Sequence, residues 1–186
     1  MLLYLASASP RRREILKKMG VPFRVVKSRY HEKHRFRLSP AALVLLHAQG
    51  KAREAVLPKA ARFVLGADTL VYARKKILGK PKTEKEAMRM IALISGKAHA
   101  VYTGVALWDR KTRRVEKAFL KTKVYVKKIS EKEAQAYIRK VNSLDKAGAY
   151  AIQKKPQIVT KIKGSRSNVV GLPEELVRKL MRKVKV

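Results

Sequence analysis

No cysteine occurs in the chain, which excludes disulfides, thiolate zinc sites and a cysteine nucleophile together. Also missing is any run of ~18 apolar residues, the length a helix needs to cross a bilayer. The short apolar start, Leu2 to Ala6, runs straight into Ser-Pro-Arg-Arg-Arg rather than into a signal-peptide cleavage region. These absences lead to the expectation of a cytoplasmic protein with no membrane partner. Aromatic residues are only 6% of the chain, and they are not interleaved with basic residues as in a base-stacking surface. Acids are scarcest among the charged residues, 13 against 46 Lys and Arg, for a net charge of +33. Such an excess attracts polyanions or anionic substrates, and because it is spread over nearly every segment it is not a basic arm. Nonspecific nucleic-acid binding and a homodimer both stay open.

What is present is enough for one core. With 186 residues, 46% of them hydrophobic, the chain reads as a single domain. Its organising stretch is Leu2 to Gly20. A short apolar run, small residues at Ser7 to Ser9, then Pro10 and Ile15, Leu16 and Met19 at helical spacing predict strand, tight turn, helix. Ser9 suits the N-cap and Pro10 the first helical position, where its missing N–H costs nothing. Arg11, Arg12 and Arg13 do not suit it, because a helix N-terminus carries roughly half a positive charge and disfavours cations by ~0.3–1 kcal/mol. Either these are solvated arginines on an ordinary helix, or an anion, phosphate first among candidates, compensates.

Further along, Phe23 to Val26 reads as a strand and Lys27 to Leu38 as an irregular polar loop. Ser39-Pro40 opens a helix whose apolar residues are Leu43, Leu46 and Val56 and which carries Lys51. Phe63 to Tyr72 is a buried-looking strand, Arg74 to Lys76 turns the chain, and Ile77 to Pro81 returns it. Capping-box spacing at Thr83 and Glu86 and at Ser130 and Glu133 starts two helices, the first stopping at Gly96 and the second near Val141. Between them the alternating runs Ala100 to Trp108 and Val115 to Val126 predict a hairpin. A short strand, Ile158 to Ile162, a loop from Gly164 to Pro173 and a final helix from Pro173 complete the chain. The expected class is α/β with a mixed sheet and flanking helices.

Asp68 is the most informative residue, since an acid within a strand of Phe, Val, Leu and Ala is costly to bury unless paired or bound to a cation. A structural salt bridge is one reading; a carboxylate at a strand end that holds a divalent metal or activates water is the other. Glu32 lies in the irregular loop, and together Asp68 and Glu32 supply the oxygen ligands that Mg²⁺ prefers. Lys51 and Lys80, the latter between Gly79 and Pro81, are not distinctive in so basic a chain. The run from His31 to His34 lacks the spacing of a zinc-binding helix, so both histidines read as loop surface, and His99 reads as structural.

Six ordered motifs, LASASPRRREIL, LGADTLV, LGKP, ISGKAHAVYTGVAL, DKAGAYAIQ and GSRSNVVGLP, resemble the Maf family of nucleoside triphosphate pyrophosphatases. The resemblance implies an elongated two-lobed fold around a central cleft, similar to that of the inosine triphosphatase group. It also implies hydrolysis of a nucleoside triphosphate between its α and β phosphates with a divalent metal, Mg²⁺ or Mn²⁺. Asp68 falls at the family's proton acceptor and Glu32 at a metal- or water-holding acid. Lys51 and Lys80 fall at phosphate-binding lysines, and Ser7 and Arg11 in the N-terminal phosphate-binding turn. Arg11, Thr69 and Gln153 match the subgroup that acts on dTTP and UTP, whereas the subgroup preferring 7-methyl-GTP differs at the positions of Thr69 and Gln153. His31 stands where the family more often has an acid. Lys154-Lys155-Pro156 replaces a glycine-rich continuation, and Val141-Asn142-Ser143 replaces a Gly-Glu-Pro-like turn.

Overall fold

In the first nineteen residues, hydrophobicity and punctuation act in the predicted order. β1 (Leu3–Leu5) is wholly buried, and α1 (Pro10–Lys18) begins at Pro10 with Ser9 as its N-cap residue. The computed structural model describes residues 2–32 and 38–184. β2 (Phe23–Val25) pairs parallel to β1, with Leu3 opposite Phe23. α2 (Pro40–Arg53) ends three residues before Val56, which is 49% exposed rather than on the apolar face of the helix. β3 (Phe63–Ala73) runs parallel to β1 and turns back into β4 (Lys76–Leu78) through Arg74 and Lys75, both at positive φ as a tight two-residue hairpin requires.

α3 (Glu84–Ile94) takes its cap from Thr83, but Glu86 reaches back to the N–H of Lys82 rather than Thr83, so only half of the predicted box forms. The Ser130–Glu133 box is complete at the start of α4 (Glu131–Val141). That helix ends on Asn142 in the left-handed region, where Asn is tolerated. β5 (Ala98–Asp109) and β6 (Arg114–Val126) are neighbours joined by the turn 110–113, and β7 (Val159–Lys163) pairs antiparallel to β6. The stretch from Gly164 to Pro173, expected to be loop throughout, contains the short helix α5 (Arg166–Val170). Ser165 nucleates it, accepting the N–H of Asn168 on its hydroxyl and that of Val169 on its carbonyl. α6 (Glu174–Lys183) follows Pro173.

Among the described residues the sheet has seven strands, in the order β2-β1-β3-β5-β6-β7 with β4 beside β3. Parallel and antiparallel pairs coexist, which makes this the mixed α/β sheet that alternating strands and helices predict. Two compact units divide the chain. Unit 1 takes residues up to Asp68, Thr103–Leu120 and those from Gly171 on; unit 2 takes Thr69–Tyr102 and Lys121–Val170. Unit 2 has a large core in which α3 packs against α4, built from residues such as Ile91, Ile94, Val101, Val124, Tyr137 and Ile138. In unit 1, Tyr4, Ala6, Ala52, Ala61 and Val64 close a smaller cluster. No described helix is long and apolar enough to cross a membrane.

Two glycines set where α2 lies in unit 1. A Cβ on Gly66 would stand 2.1 Å from the carbonyl oxygen of Ala48, and one on Gly104 would stand 2.4 Å from that of Val44. β3 and β5 therefore present bare backbone to α2, which comes closer than side chains would permit.

Candidate functional site

The close approach at Gly66 decides the position of Lys51. Gly66 and Asp68 are two residues apart in β3 and share a face, while Lys51 lies on α2 between the two alanines, Ala48 and Ala52, that a Gly66 Cβ would strike. The lysine Nζ donates to Asp68 Oδ1 at 2.7 Å, and Glu32 Oε1 lies 2.6 Å from the same nitrogen. Asp68 is 8% exposed and sits in the middle of β3 rather than at a strand end as expected. Asp68 is thus salt-bridged, as the first reading has it, and its cation is shared with a second acid.

Glu32 is brought there by a residue that the sequence reading passed over. Tyr30 packs its ring where a Cβ on Gly50 would be, within 2.2 Å, and its hydroxyl bonds to His47 Nδ1 at 2.9 Å. Upstream, the chain is stitched to the end of α2 through the N–H of Arg29 to Glu54 and the N–H of Val56 to Lys27. Two contacts from Tyr30 to successive turns of α2 therefore hold Glu32 over Lys51. His31 is exposed, as predicted, and His34 lies outside the described residues.

The arginine turn separates into different jobs. Arg12 is 9% exposed; its Nε donates to the carbonyl of Gly171 at 2.8 Å and a terminal nitrogen donates to Ser7 Oγ at 2.9 Å. Burial pushes its guanidinium below the usual arginine range, with the charges of Asp68 and Glu32 acting in the opposite direction and that of Arg11 adding to the shift. Arg12 is thus a buried cation that ties the Ser7 turn to the start of α6. Arg13 is exposed and Arg11 half-buried. Ser9 occupies the N-cap position without a capping bond from its side chain.

Thr69, Lys80 and Gln153 belong to unit 2, where Lys80 and Gln153 are exposed and Thr69 half-buried. Gly79, next to Lys80, accepts from the N–H of Gly148 in the DKAGAYAIQ segment at 2.9 Å. Gln153 precedes the cis bond between Lys155 and Pro156. His99 is structural as expected: 4% exposed, it bonds through Nε2 to the hydroxyl of Tyr150 at 2.7 Å, and burial lowers its pKa to about 4.

Among the described residues no three His, Asp or Glu side chains gather as a metal site. Two carboxylates do converge, on the Lys51 ammonium, and a cation already stands between them. Hard oxygen donors around a common positive charge suit a small divalent ion, with positions left for water and phosphate oxygens. Glu32 and Asp68 therefore fit as metal ligands.

Residues 2–184 match the family model described as Maf-like protein. Similar relatives include a dTTP/UTP pyrophosphatase of Citrifermentans bemidjiense, 45% identical over 92% of this chain and 89% of its own length. The dTTP/UTP pyrophosphatase of Moorella thermoacetica is 42% identical over 96% and 93%, and that of Bacillus cereus strain ATCC 10987 is 43% identical over 96% and 88%. With the family model matched over nearly the whole chain and relatives 42–45% identical over 92–96% of it, the chain belongs to the Maf family.

Proposed function

We propose that the protein hydrolyses dTTP and UTP to the nucleoside monophosphate and pyrophosphate. The convergence of Glu32 and Asp68 on Lys51 carries this reading, taken with relatives named dTTP/UTP pyrophosphatase. Water adds across the bond between the α and β phosphates, and Asp68 accepts its proton. Asp68 suits this because its bond to Lys51 is a single hydrogen bond to a cation that Glu32 can retain. Glu32 and Asp68 would hold a divalent metal, which would neutralise phosphate charge and make the attacking water more acidic. Lys51 and Lys80 bind phosphate oxygens, and their charge offsets that developing on the leaving pyrophosphate.

The Ser7 turn serves the phosphates as well. Ser7 is oriented by Arg12, and the first-turn N–H groups of α1 together with Arg11 form an anion-binding end. Thr69 and Gln153 read the base. A glutamine amide both donates and accepts, which matches the O4 and N3–H edge shared by thymine and uracil. Cytosine reverses that pattern at position 4, so CTP is a poorer substrate.

Pyrophosphate release from dTTP, UTP, CTP, GTP and 7-methyl-GTP, measured with Mg²⁺ and with Mn²⁺, tests the proposal. The expected order puts dTTP and UTP first. A chain fastest on 7-methyl-GTP overturns the base assignment, and one that releases no pyrophosphate from any of the five overturns the reaction.

A further inference from the structure

Unit 1 has a second concentration of charge away from the carboxylates. The segment that follows α2 and the turn after β5 surround an open depression of about 650 Å³. Among the described residues six cations line it, with no acid and with Trp108, the single tryptophan of the chain. Arg62 is matched by Asp109, which accepts from it at 3.0 and 3.1 Å. No carboxylate among the described residues forms an ion pair with the other five. Gathering like charges around one depression is unfavourable unless a partner of opposite charge occupies it.

The depression is also built rather than merely charged. Arg110 donates from one terminal nitrogen to the carbonyls of Pro58, Lys59 and Ala61, which fixes its guanidinium 6.0 Å from the Trp108 ring centroid. Trp108 packs from one side on the small unit 1 cluster and stays half-buried, so part of an aromatic ring remains beside exposed Lys59, Lys111 and Arg113. Lys111 and Arg113 neighbour Trp108 along the chain, whereas Lys59 and Arg62 reach the same depression only through the fold.

We infer that this depression binds single-stranded nucleic acid, with phosphates on Lys59, Lys111 and Arg113 and a base against Trp108. Cations that follow a backbone next to an aromatic ring are the elements of sequence-tolerant single-strand binding. A few nucleotides fill about 650 Å³, and the open mouth lets a strand continue beyond it. An isolated phosphate uses the cations and leaves the ring idle; a duplex keeps its bases stacked away from it. None of the residues assigned to hydrolysis takes part, so the inference stands independently of the proposed reaction.

The single tryptophan makes the test local. A fluorescently labelled oligouridylate is titrated into the whole protein at several salt concentrations, reading both probe anisotropy and Trp108 emission. Binding quenches Trp108. The variant Lys59→Glu, Lys111→Glu, Arg113→Glu loses the quench, binds at least about tenfold more weakly, and lowers the slope of log K against log salt by about 2, since each phosphate contact contributes about 0.7 for single strands. A control, Lys85→Glu, Lys132→Glu, Lys179→Glu, changes net charge equally at exposed sites elsewhere and keeps the quench. Thermal melts establish that both variants are folded. An unchanged Trp108 signal on wild-type binding, equal losses in the two variants, or UMP binding as tightly as the oligonucleotide would each overturn the inference.

Discussion

Two aspartates are buried in neighbouring strands of unit 1, Asp68 in β3 and Asp109 in β5, at 8% and 3% exposure. Each faces a cation, yet the two are bound differently. Both oxygens of Asp109 accept from Arg62 in a two-pronged bond, and Oδ1 also takes the N–H of Lys111. The hydrogen bond from Arg62 is the main reason that its carboxyl lies below the usual range, helped by the Lys111 N–H against the opposing effect of burial. Asp68 has a single bond to a lysine already shared with Glu32. A forked, shared geometry fixes a charge, whereas a point contact can be traded for water, metal or phosphate. Burial alone does not separate the two acids; the way their oxygens are used does.

Breaking each aspartate in turn sharpens this contrast. Asp68→Asn is expected to reduce kcat for dTTP by a factor of about 10² to 10⁴, the scale of a lost general base, with melting temperature unchanged or raised because the Lys51 and Glu32 pair survives. Steady-state pyrophosphate release and a thermal melt check both parts, and near-normal turnover in a folded variant would remove Asp68 from the chemistry. Asp109→Ala is expected to do the reverse, lowering stability by about 1 kcal/mol because the Lys111 N–H and the Arg62 fork lose their acceptor, while the folded fraction turns over normally. Chemical denaturation alongside the same assay decides it.

The third test uses a buried group with no charged partner. His99 takes a proton below about pH 4 in the folded protein but below roughly 6.5 when unfolded. Between those values the unfolded state holds more protons, so stability rises with pH and is lost on acidification, by about 2 kcal/mol from pH 7 to pH 5. His99→Gln should flatten that slope in a melt series. The fixed Asp109, by contrast, contributes stability above its ordinary value of 3.8, so its loss belongs to still lower pH. The smallest expected effect comes from Arg62→Lys, which keeps the charge and loses only the fork of a solvent-exposed cation. Denaturant midpoints resolve it from Asp109→Ala.

How much of this was legible depends on range. Strand, turn and helix from Leu3 to Lys18 follow from local spacing, and the Ser130–Glu133 box reads straight from four residues. α5 escaped because Gly-Ser-Arg-Ser has the composition of a loop and only the Ser165 cap starts the helix. The carboxylates were visible as acids out of place in an apolar or irregular setting. Their supports were not: Tyr30 acts through His47, 17 residues on, and Arg12 acts through Gly171. A guanidinium in a run of three looks the same whether it is buried or solvated until the distant segment that covers it is known.

The bond from Arg12 to the carbonyl of Gly171 spans 159 residues, and that separation has a consequence in time. Ribosomes extend chains at roughly 5–20 residues per second, so the N-terminal turn emerges roughly ten to thirty seconds before its far anchor has been translated. During that interval Arg12 has no Gly171 to bind, and Ser7 lacks the guanidinium that orients it. The turn that leads into α1, among the earliest segments made, is therefore among the last to be completed.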